Sequence, residues 1–306
     1  MPGLCVSTNK EIVMAISATQ VRELREATGL GMMACKKALE EADGDMEKAI
    51  ESLRKQGQAT AAKRAGKAAK EGKVSVLVED GTALMYEVNS ETDFVARNDD
   101  FVGFCEDLGT LLMKEKPASI EDAKALKSDQ MGGQAVESKL MELVGKIGEN
   151  ISFRRFKIIN ADEASERLFT YIHGNGRIGV VVKLAADKAE CLDSDAMKQL
   201  GKDVAMQVAA ANPVAVNPEG LPQDLVAKEK DIYTTQAQSS GKPEKIWDRI
   251  VEGKLSKFYK EVALIEQAFI REPDISVTDR IKQTEKETGC SISVIEFGRY
   301  ELGSEE

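Results

Sequence analysis

The chain has 306 residues and a mass of 33.4 kDa, enough for two or three modest domains. Hydrophobic residues make up 42% and charged residues 31%, which excludes a collagen-like or wholly disordered chain. Aromatic residues are only 5%, a composition that favours helices over an all-β sandwich. The formal net charge of −10 disfavours binding to nucleic acid, although a local basic stretch could still contact phosphates.

The expected compartment is the cytoplasm, without membrane association. No apolar run approaches the ~20 residues that cross a bilayer, and residues 1–13 lack the apolar segment of a secretory signal. We treat residues 1–16 as a tail, and we leave open whether the chain starts at Met1 or at Met14. The cysteines are odd in number and widely spaced, so they predict buried thiols rather than a disulfide framework. They are Cys5, Cys35, Cys105, Cys191 and Cys290.

Three short helices are predicted over residues 17–56. Ser17 and Gln20 have the spacing of a capping box at the start of the first helix, and Gly29 ends that helix. Asp45 is predicted to be the N-cap of the third helix. Together the helices predict a compact bundle that is similar to a ubiquitin-associated domain.

A basic segment follows the bundle, and we assign residues 57–73 to a linker. Residues 54–73 hold seven basic residues against one acidic residue, among Ala and Gly. Such a segment could be an arm that binds RNA or phosphate, or a solvated linker. Because it has no aromatic residue to stack on bases, we favour the linker.

Alternating apolar residues indicate strands from residue 74 onwards. The first strand leads into Asp80-Gly81, a strong hairpin turn, and a helix follows over residues 101–112. Two strands and a helix recur in the same order after residue 168. We therefore predict an α+β core of two related subdomains with antiparallel sheets, 74–165 and 166–306. Within the second, residues of about 216–262 predict a projecting helical hairpin, broken near Gly241.

The sequence offers little catalytic chemistry. Gly174, Gly176 and Gly179 match the pattern G-x-G-x-x-G, but apolar alternation continues after them, which indicates a hairpin rather than a dinucleotide-binding turn. His173 is the only histidine, which excludes metal sites built from several histidines. It could be a catalytic base, a surface residue or a recognition residue, and no nucleophile elbow accompanies it. We expect no catalytic residue, no metal, no cofactor and no direct nucleotide binding.

Two short features stand out. The adjacent pair Met32 and Met33 cannot place both side chains in a small core, so one is either an exposed, adaptable contact or a loose filler. Phe94 lies in a polar stretch where a strand meets a helix. A phenylalanine at such a junction is more often a core anchor than a protruding probe, and composition leaves both roles open.

Several segments resemble the bacterial elongation factor Ts family. The stretches LREATG (24–29) and MMACKKAL (32–39) resemble its N-terminal signature, and EVNSETDFVAR (87–97) resembles its second signature. Further family segments match residues 146–151, 173–180 and 241–243. The resemblance runs in the family's order from about Ser17 to the C-terminal strand, whereas the extension before Met14 departs from the pattern.

The resemblance implies a nucleotide exchange factor for elongation factor Tu, the GTPase that delivers aminoacyl-tRNA, without covalent catalysis. In that family the N-terminal domain grips the partner's G domain, the core spans the G domain and a β-barrel domain, and the hairpin projects. Carried onto this chain, it places the disturbance of the partner's Mg²⁺ site at Thr92, Asp93, Phe94 and Val95, and other partner contacts at Met32, Met33, Ile147 and His173.

Two other classes of function remain as alternatives. An adaptor whose Gly-Met-Met loop binds another protein would account for the N-terminal helices and leave the rest of the chain without a role. A Rossmann-type oxidoreductase would require a helix after Gly179. Assembly into a homodimer or heterotetramer through the core or the hairpin is left open by the sequence.

Overall fold

The computed structural model describes residues 16–304, and the predictions for residues 1–13 and for Met14 lie outside them. The helices are α1 (Ala18–Thr28), α2 (Met32–Glu41), α3 (Met46–Arg64), α4 (Asp99–Glu115), α5 (Ile120–Ala125), α6 (Val136–Ile147), α7 (Ala189–Leu192), α8 (Asp195–Ala211), α9 (Gln223–Gln238), α10 (Trp247–Val262) and α11 (Val277–Thr288). The strands are β1 (Glu71–Glu79), β2 (Thr82–Ser90), β3 (Lys127–Ser128), β4 (Gln134–Ala135), β5 (Ile151–Asn160), β6 (Glu166–His173), β7 (Ile178–Ala186), β8 (Ala268–Phe269), β9 (Glu272–Ser276) and β10 (Ile292–Glu301). Helices combined with antiparallel sheets confirm the predicted α+β class.

The helices α1, α2 and α3 form a small bundle. The predicted capping box is present, since the Ser17 hydroxyl accepts a hydrogen bond from the backbone N–H of Gln20 at 3.1 Å. Gly29 ends α1 in the left-handed conformation, and Asp45 caps α3 by accepting from the Lys48 N–H at 3.1 Å. The buried side chains of the bundle are Val21, Leu24, Cys35, Ala38, Leu39, Ala49 and Leu53. The likeness to a ubiquitin-associated domain stays a prediction.

The third helix differs from the flexible linker predicted over residues 57–73, because α3 continues to Arg64. Gly57 of α3 lies against Gly145 of α6, where an added Cβ on Gly145 would come within 2.8 Å of the Gly57 Cα. Because Gly145 has no side chain, the two helices approach closely, and Ala61 packs against the core. The Ala-rich composition suits a helix once this contact exists. The predicted domain boundaries otherwise stay predictions.

Two three-stranded antiparallel sheets form the centre of the molecule, with the strand orders β1-β2-β5 and β10-β7-β6. The turn Asp80-Gly81 joins β1 to β2 as predicted, with Glu79 opposite Thr82. The Gly-x-Gly stretch joins β6 to β7, with His173 opposite Ile178. A strand therefore follows this loop, which confirms the predicted hairpin and contradicts the Rossmann alternative.

The two sheets pack face to face. An added Cβ on Gly179 of β7 would lie 2.6 Å from a methyl carbon of Val74, and one on Gly298 of β10 would lie 2.6 Å from the sulfur of Met85. The two glycines therefore let the sheets come close. The buried residues between them are Ala83, Met85, Ile159 and Val181.

Helices cover the outer face of each sheet. The first core includes Phe101, Leu108 and Leu112 of α4 and Leu140 and Val144 of α6. The second includes Met197, Leu200 and Val204 of α8 and Ile281 of α11. Each half is thus a sheet with helices on one face, as predicted for the pair of subdomains. The helices α9 and α10 form the expected hairpin, whose apolar seam includes Leu221 and Phe258.

Cys191 and Cys290 form a disulfide, so the prediction of unpaired cysteines is wrong for this pair. Their Cα atoms are 6.6 Å apart although 99 positions separate them in the sequence. Only the tertiary fold brings α7 to the segment before β10, which is why the spacing of the cysteines did not reveal the pair. Cys35 and Cys105 are buried free thiols as predicted, and burial raises the pKa of the Cys105 thiol to about 12. Cys5 lies outside the described residues.

Candidate functional site

Phe94 lies on the outside of the molecule, with 78% of its surface exposed. It immediately precedes a short 3₁₀ turn, Val95–Arg97, that connects β2 to α4. The neighbouring Val95 is buried in the core under α4. The anchoring role therefore belongs to Val95, and Phe94 projects into solvent. We use the name Phe94 segment for residues 92–97.

Hydrogen bonds hold the chain just before Phe94. Thr92 donates to the Glu149 carboxylate from its backbone N–H at 3.0 Å and from its hydroxyl at 2.8 Å. The Ser90 hydroxyl donates to the Thr92 carbonyl at 2.8 Å. Asp93 forms an exposed ion pair with Arg97 at 3.3 Å. The backbone at Thr92 is thus held two residues before the exposed ring.

A second carboxylate, that of Glu91 just before the Phe94 segment, binds two other parts of the chain. Glu91 accepts the backbone N–H of Asn150 at 2.7 Å and pairs with Arg64, at the end of α3, at 3.2 Å. The hydrogen bond from Asn150, followed by the charge of Arg64, lowers the pKa of the Glu91 carboxyl. Hydrogen bonds therefore join the motifs at residues 87–97 and 146–151, which are far apart in the sequence.

Ile147 is the last residue of α6 and is half-buried against the core of the first sheet. Gly148 follows in the left-handed conformation and turns the chain towards Glu149. Beside Ile147, Lys146 pairs with Asp100 at the start of α4 at 2.7 Å. The structure therefore places this predicted contact residue next to the supports of the Phe94 segment, with part of its side chain accessible.

His173 is exposed at the end of β6, and we use the name His173 loop for residues 173–177. Its Nδ1 lies 3.1 Å from the Tyr171 hydroxyl. A cleft of about 520 Å³ lies between the His173 loop and the Phe94 segment. Its lining residues are Asp93, Ala96 and Arg97 from one, Gly174, Asn175 and Arg177 from the other, and Glu71, Gly72, Lys73 and Leu302. The fold thus brings together two predicted contact segments that are far apart in the sequence.

Met32 and Met33 are 57% and 76% exposed at the start of α2. They line a separate, open depression of about 890 Å³ together with Val21 and Arg25 of α1. Their exposure contradicts the loose-filler interpretation for both side chains. Flexible, polarizable methionines on a surface suit an adaptable protein contact. The structure does not bring them into the cleft beside Phe94.

Three carboxylates near the Phe94 segment, Glu87, Glu91 and Glu149, were not among the predicted site residues. One feature of the sequence could have indicated them, because all three lie in the motifs at 87–97 and 146–151 that resemble family segments. It gave no sign of their partners, since Thr92 and Glu149 are 57 positions apart. Glu149 binds Thr92, and Glu91 binds Asn150 and Arg64. Glu87 instead binds Arg154, Arg155 and the backbone of Gly303.

The exposed side chains of the site suit binding to another protein. Within residues 16–304, no group of three or more His, Cys, Asp and Glu side chains could hold a metal ion. Over the same residues, no helix has both the length and the apolar character to cross a bilayer. An exposed aromatic on a fixed turn and an exposed methionine pair are features of protein interfaces.

Known proteins resemble this chain over nearly its whole length. Residues 91–304 match the family described as Elongation factor TS. Elongation factor Ts of Trichlorobacter lovleyi is 43% identical over 292 residues, which cover 95% of this chain and 93% of that protein. Elongation factor Ts of Clostridium acetobutylicum is 44% identical, with 94% and 92% covered, and that of Clostridium perfringens is 44% identical, with 94% and 93% covered.

Proposed function

The chain belongs to the elongation factor Ts family, and on that basis we propose that it is a guanine nucleotide exchange factor for elongation factor Tu in translation elongation. It binds the GDP-bound GTPase, perturbs the Mg²⁺ and phosphate site, and promotes GDP release and GTP loading. It forms and breaks no covalent bond, and it acts in the cytoplasm. The rival adaptor function would use the bundle of α1 to α3 and leave the cleft without a role.

The observation that carries this proposal is the exposed ring of Phe94 on a backbone held by Glu149. GDP is bound through its phosphates and through Mg²⁺, which neutralises their oxygens. A rigid aromatic side chain that displaces the segment supporting the metal removes that neutralisation and weakens nucleotide binding. Each tenfold increase in the release rate requires only about 1.4 kcal/mol, which an interface of ordinary size can supply.

The other site residues divide between the two surfaces. Met32 and Met33 form the N-terminal contact with the GTPase. Thr92, Asp93, Phe94 and Val95 form the segment that disturbs the Mg²⁺ site, within which the hydrogen-bonded Thr92 and the buried Val95 hold Phe94 in place. Ile147 and His173 make the other contacts of the core with the GTPase. Coupling between the bound factor and the nucleotide is reciprocal, so GTP, by binding the GTPase, weakens the factor in turn and releases it.

Stopped-flow release of a fluorescent GDP from elongation factor Tu tests the proposal. Phe94→Ala lowers exchange efficiency by roughly thirtyfold, as expected for an interface aromatic that contributes about 2 kcal/mol, and Phe94→Leu has a milder effect. Because the ring is exposed, circular dichroism shows both variants folded. The matched control is Val78→Ala, which truncates another exposed apolar side chain, at the end of β1 remote from the cleft.

Two outcomes contradict different parts of the proposal. Folded Phe94→Ala protein that releases GDP at the wild-type rate excludes Phe94 as the wedge. A wild-type chain that binds elongation factor Tu without accelerating GDP release excludes the exchange function itself.

A further inference from the structure

Glu87 is a fully buried carboxylate on β2, the strand that leads to the Phe94 segment. One of its oxygens accepts from the Gly303 N–H and the Asn89 amide, both at 2.9 Å, and from Arg154 at 3.3 Å. The other accepts from Arg155 at 2.7 Å. Burial of a carboxylate is costly unless it is paired and hydrogen-bonded. These donors therefore make Glu87 the centre of a polar cluster inside the protein.

The partners of Glu87 include the turn that follows β10, residues 302–304, which we name the C-terminal turn. Gly303 of this turn has φ +70°, and an added Cβ would lie 2.5 Å from the Lys70 carbonyl oxygen. Arg154 donates to the Ser304 carbonyl, and Arg155 donates to the Glu301 carbonyl at 3.1 Å. The C-terminal turn thus continues directly from β10 of the second sheet, and its hydrogen bond to Glu87 attaches it to β2 of the first sheet.

The same turn reaches the His173 loop. The Leu302 N–H donates to the Arg177 carbonyl at 2.8 Å, and Leu302 lines the cleft between the two contact segments. A second backbone hydrogen bond, from the Val74 N–H to the Gly176 carbonyl at 2.8 Å, joins the loop to β1. A continuous path of contacts therefore runs from the Phe94 segment along β2 to Glu87, and through the C-terminal turn to the His173 loop.

We propose that Glu87 is a positioning residue for nucleotide exchange, which fixes the His173 loop relative to the Phe94 segment by fastening the C-terminal turn. This inference rests on the proposed function. Glu87 has no exposed surface and so does not touch the partner. Two segments that must act on one partner together lower the barrier most when the free protein already holds them in the productive geometry. Loss of the hydrogen bonds that Glu87 accepts leaves every contact residue present, but the two segments are then held less accurately relative to each other.

Such a role affects the release step more than binding. At saturating factor, Glu87→Gln lowers the maximal rate of GDP release by about tenfold, equivalent to about 1.4 kcal/mol. The factor concentration for half-maximal rate changes little, because the contact residues remain. The variant keeps the side-chain volume and removes the charge that faces two guanidinium groups. Glu79→Gln, at an exposed position on β1, is the matched control and behaves as wild type.

A second variant approaches the cluster from its other end, in case the loss of a buried charge unfolds the protein. Gly303→Ala leaves Glu87 intact and forces the C-terminal turn away from Lys70. It produces the same fall in maximal rate, and where both variants fold, the double variant is no slower than the slower single variant. Hydrogen exchange followed by mass spectrometry shows faster exchange in the peptides that contain the Leu302 and Val74 amides.

The results separate the possible failures. Wild-type release rates in folded Gly303→Ala protein, or an equal loss of affinity and maximal rate in both variants, overturn the positioning role of Glu87. If the wild-type chain itself does not accelerate GDP release, the proposed function fails instead, and the inference falls with it.

Discussion

Glu149 receives both hydrogen bonds that Thr92 can donate, one on each carboxylate oxygen. The two residues come from different motifs, and Glu149 stands just after the left-handed Gly148 that ends α6. A carboxylate that binds a backbone N–H and a hydroxyl of the same residue fixes both its position and its orientation. The exposed Phe94 therefore projects from a backbone that is held by side chains rather than from a free loop.

Replacement of Glu149 by glutamine tests this support. The amide has one acceptor oxygen, so one donor of Thr92 faces an NH₂ group and loses its partner. We expect slower GDP release at saturating factor and a free energy of unfolding lower by about 1–3 kcal/mol, measured by stopped flow and urea titration. Glu79→Gln should change stability by no more than about 0.5 kcal/mol. Unaltered release in the Glu149 variant would show that Phe94 needs no such support.

Met32 and Met33 can be tested by changing both to alanine. Since both are exposed, the double variant should raise the dissociation constant for elongation factor Tu and leave the melting temperature nearly unchanged. Calorimetric titration and thermal unfolding measure the two effects. Leu24→Ala is the comparison. Leu24 is fully buried in the bundle, so its truncation should lower the free energy of unfolding by about 2–5 kcal/mol. A double variant that melts as early as Leu24→Ala would favour a packing role.

At the contact between α3 and α6, we expect alanine substitutions at Gly145 and at Gly57 to have different effects on stability. Gly145→Ala places a Cβ 2.8 Å from the Gly57 Cα and should destabilise the protein by about 1–3 kcal/mol. An added Cβ on Gly57 would lie no closer than 3.8 Å to any other atom. Because alanine has a higher helix propensity than glycine, Gly57→Ala should leave the stability of the protein unchanged or raise it by up to about 1 kcal/mol. Chemical unfolding of both variants measures the difference, and equal effects would contradict the close approach of α3 and α6.

Glu91 predicts a specific acid sensitivity. Its pKa in the folded protein is below the ordinary value of 4.5, because it accepts the Asn150 N–H and pairs with Arg64. Its stabilising contribution is therefore present above pH 4.5 and is lost as the pH falls through the lowered pKa. When thermal unfolding is measured from neutral to acidic pH, the melting temperature should fall more steeply in the wild type than in Glu91→Gln. Parallel curves would mean that Glu91 has no such linkage.

Local signals in the sequence predicted most of the helix and strand positions. Ser17 with Gln20, Gly29, Asp45 and Asp80-Gly81 each specify a cap or turn through their own backbone preferences. Such signals need no knowledge of distant residues, and the structure confirms each of them. The short elements α5, α7 and β3 to β4 were missed because they contain too few residues to show a period.

The site depended on contacts that no local pattern encodes. Hydrophobicity alone could not decide between Phe94 and its neighbour Val95 as the core anchor, and the structure buries Val95. The cluster around Glu87 joins residues more than 60 positions apart, and the length of α3 depends on its packing against Gly145. These features follow from tertiary packing, which overrides local preference.

The unbroken course of α3 to Arg64 has a consequence for avidity. In the proposed function, the methionine pair and the Phe94 segment are two binding surfaces, and α3, whose Arg64 pairs with Glu91 at 3.2 Å, is the stiff helix between them. In a bivalent binder with a fixed spacing, the effective concentration of the second surface depends on geometry and not on linker length. One residue inserted into α3 before Gly57 would rotate the bundle by about 100° relative to the core and remove that advantage, although no contact residue would change.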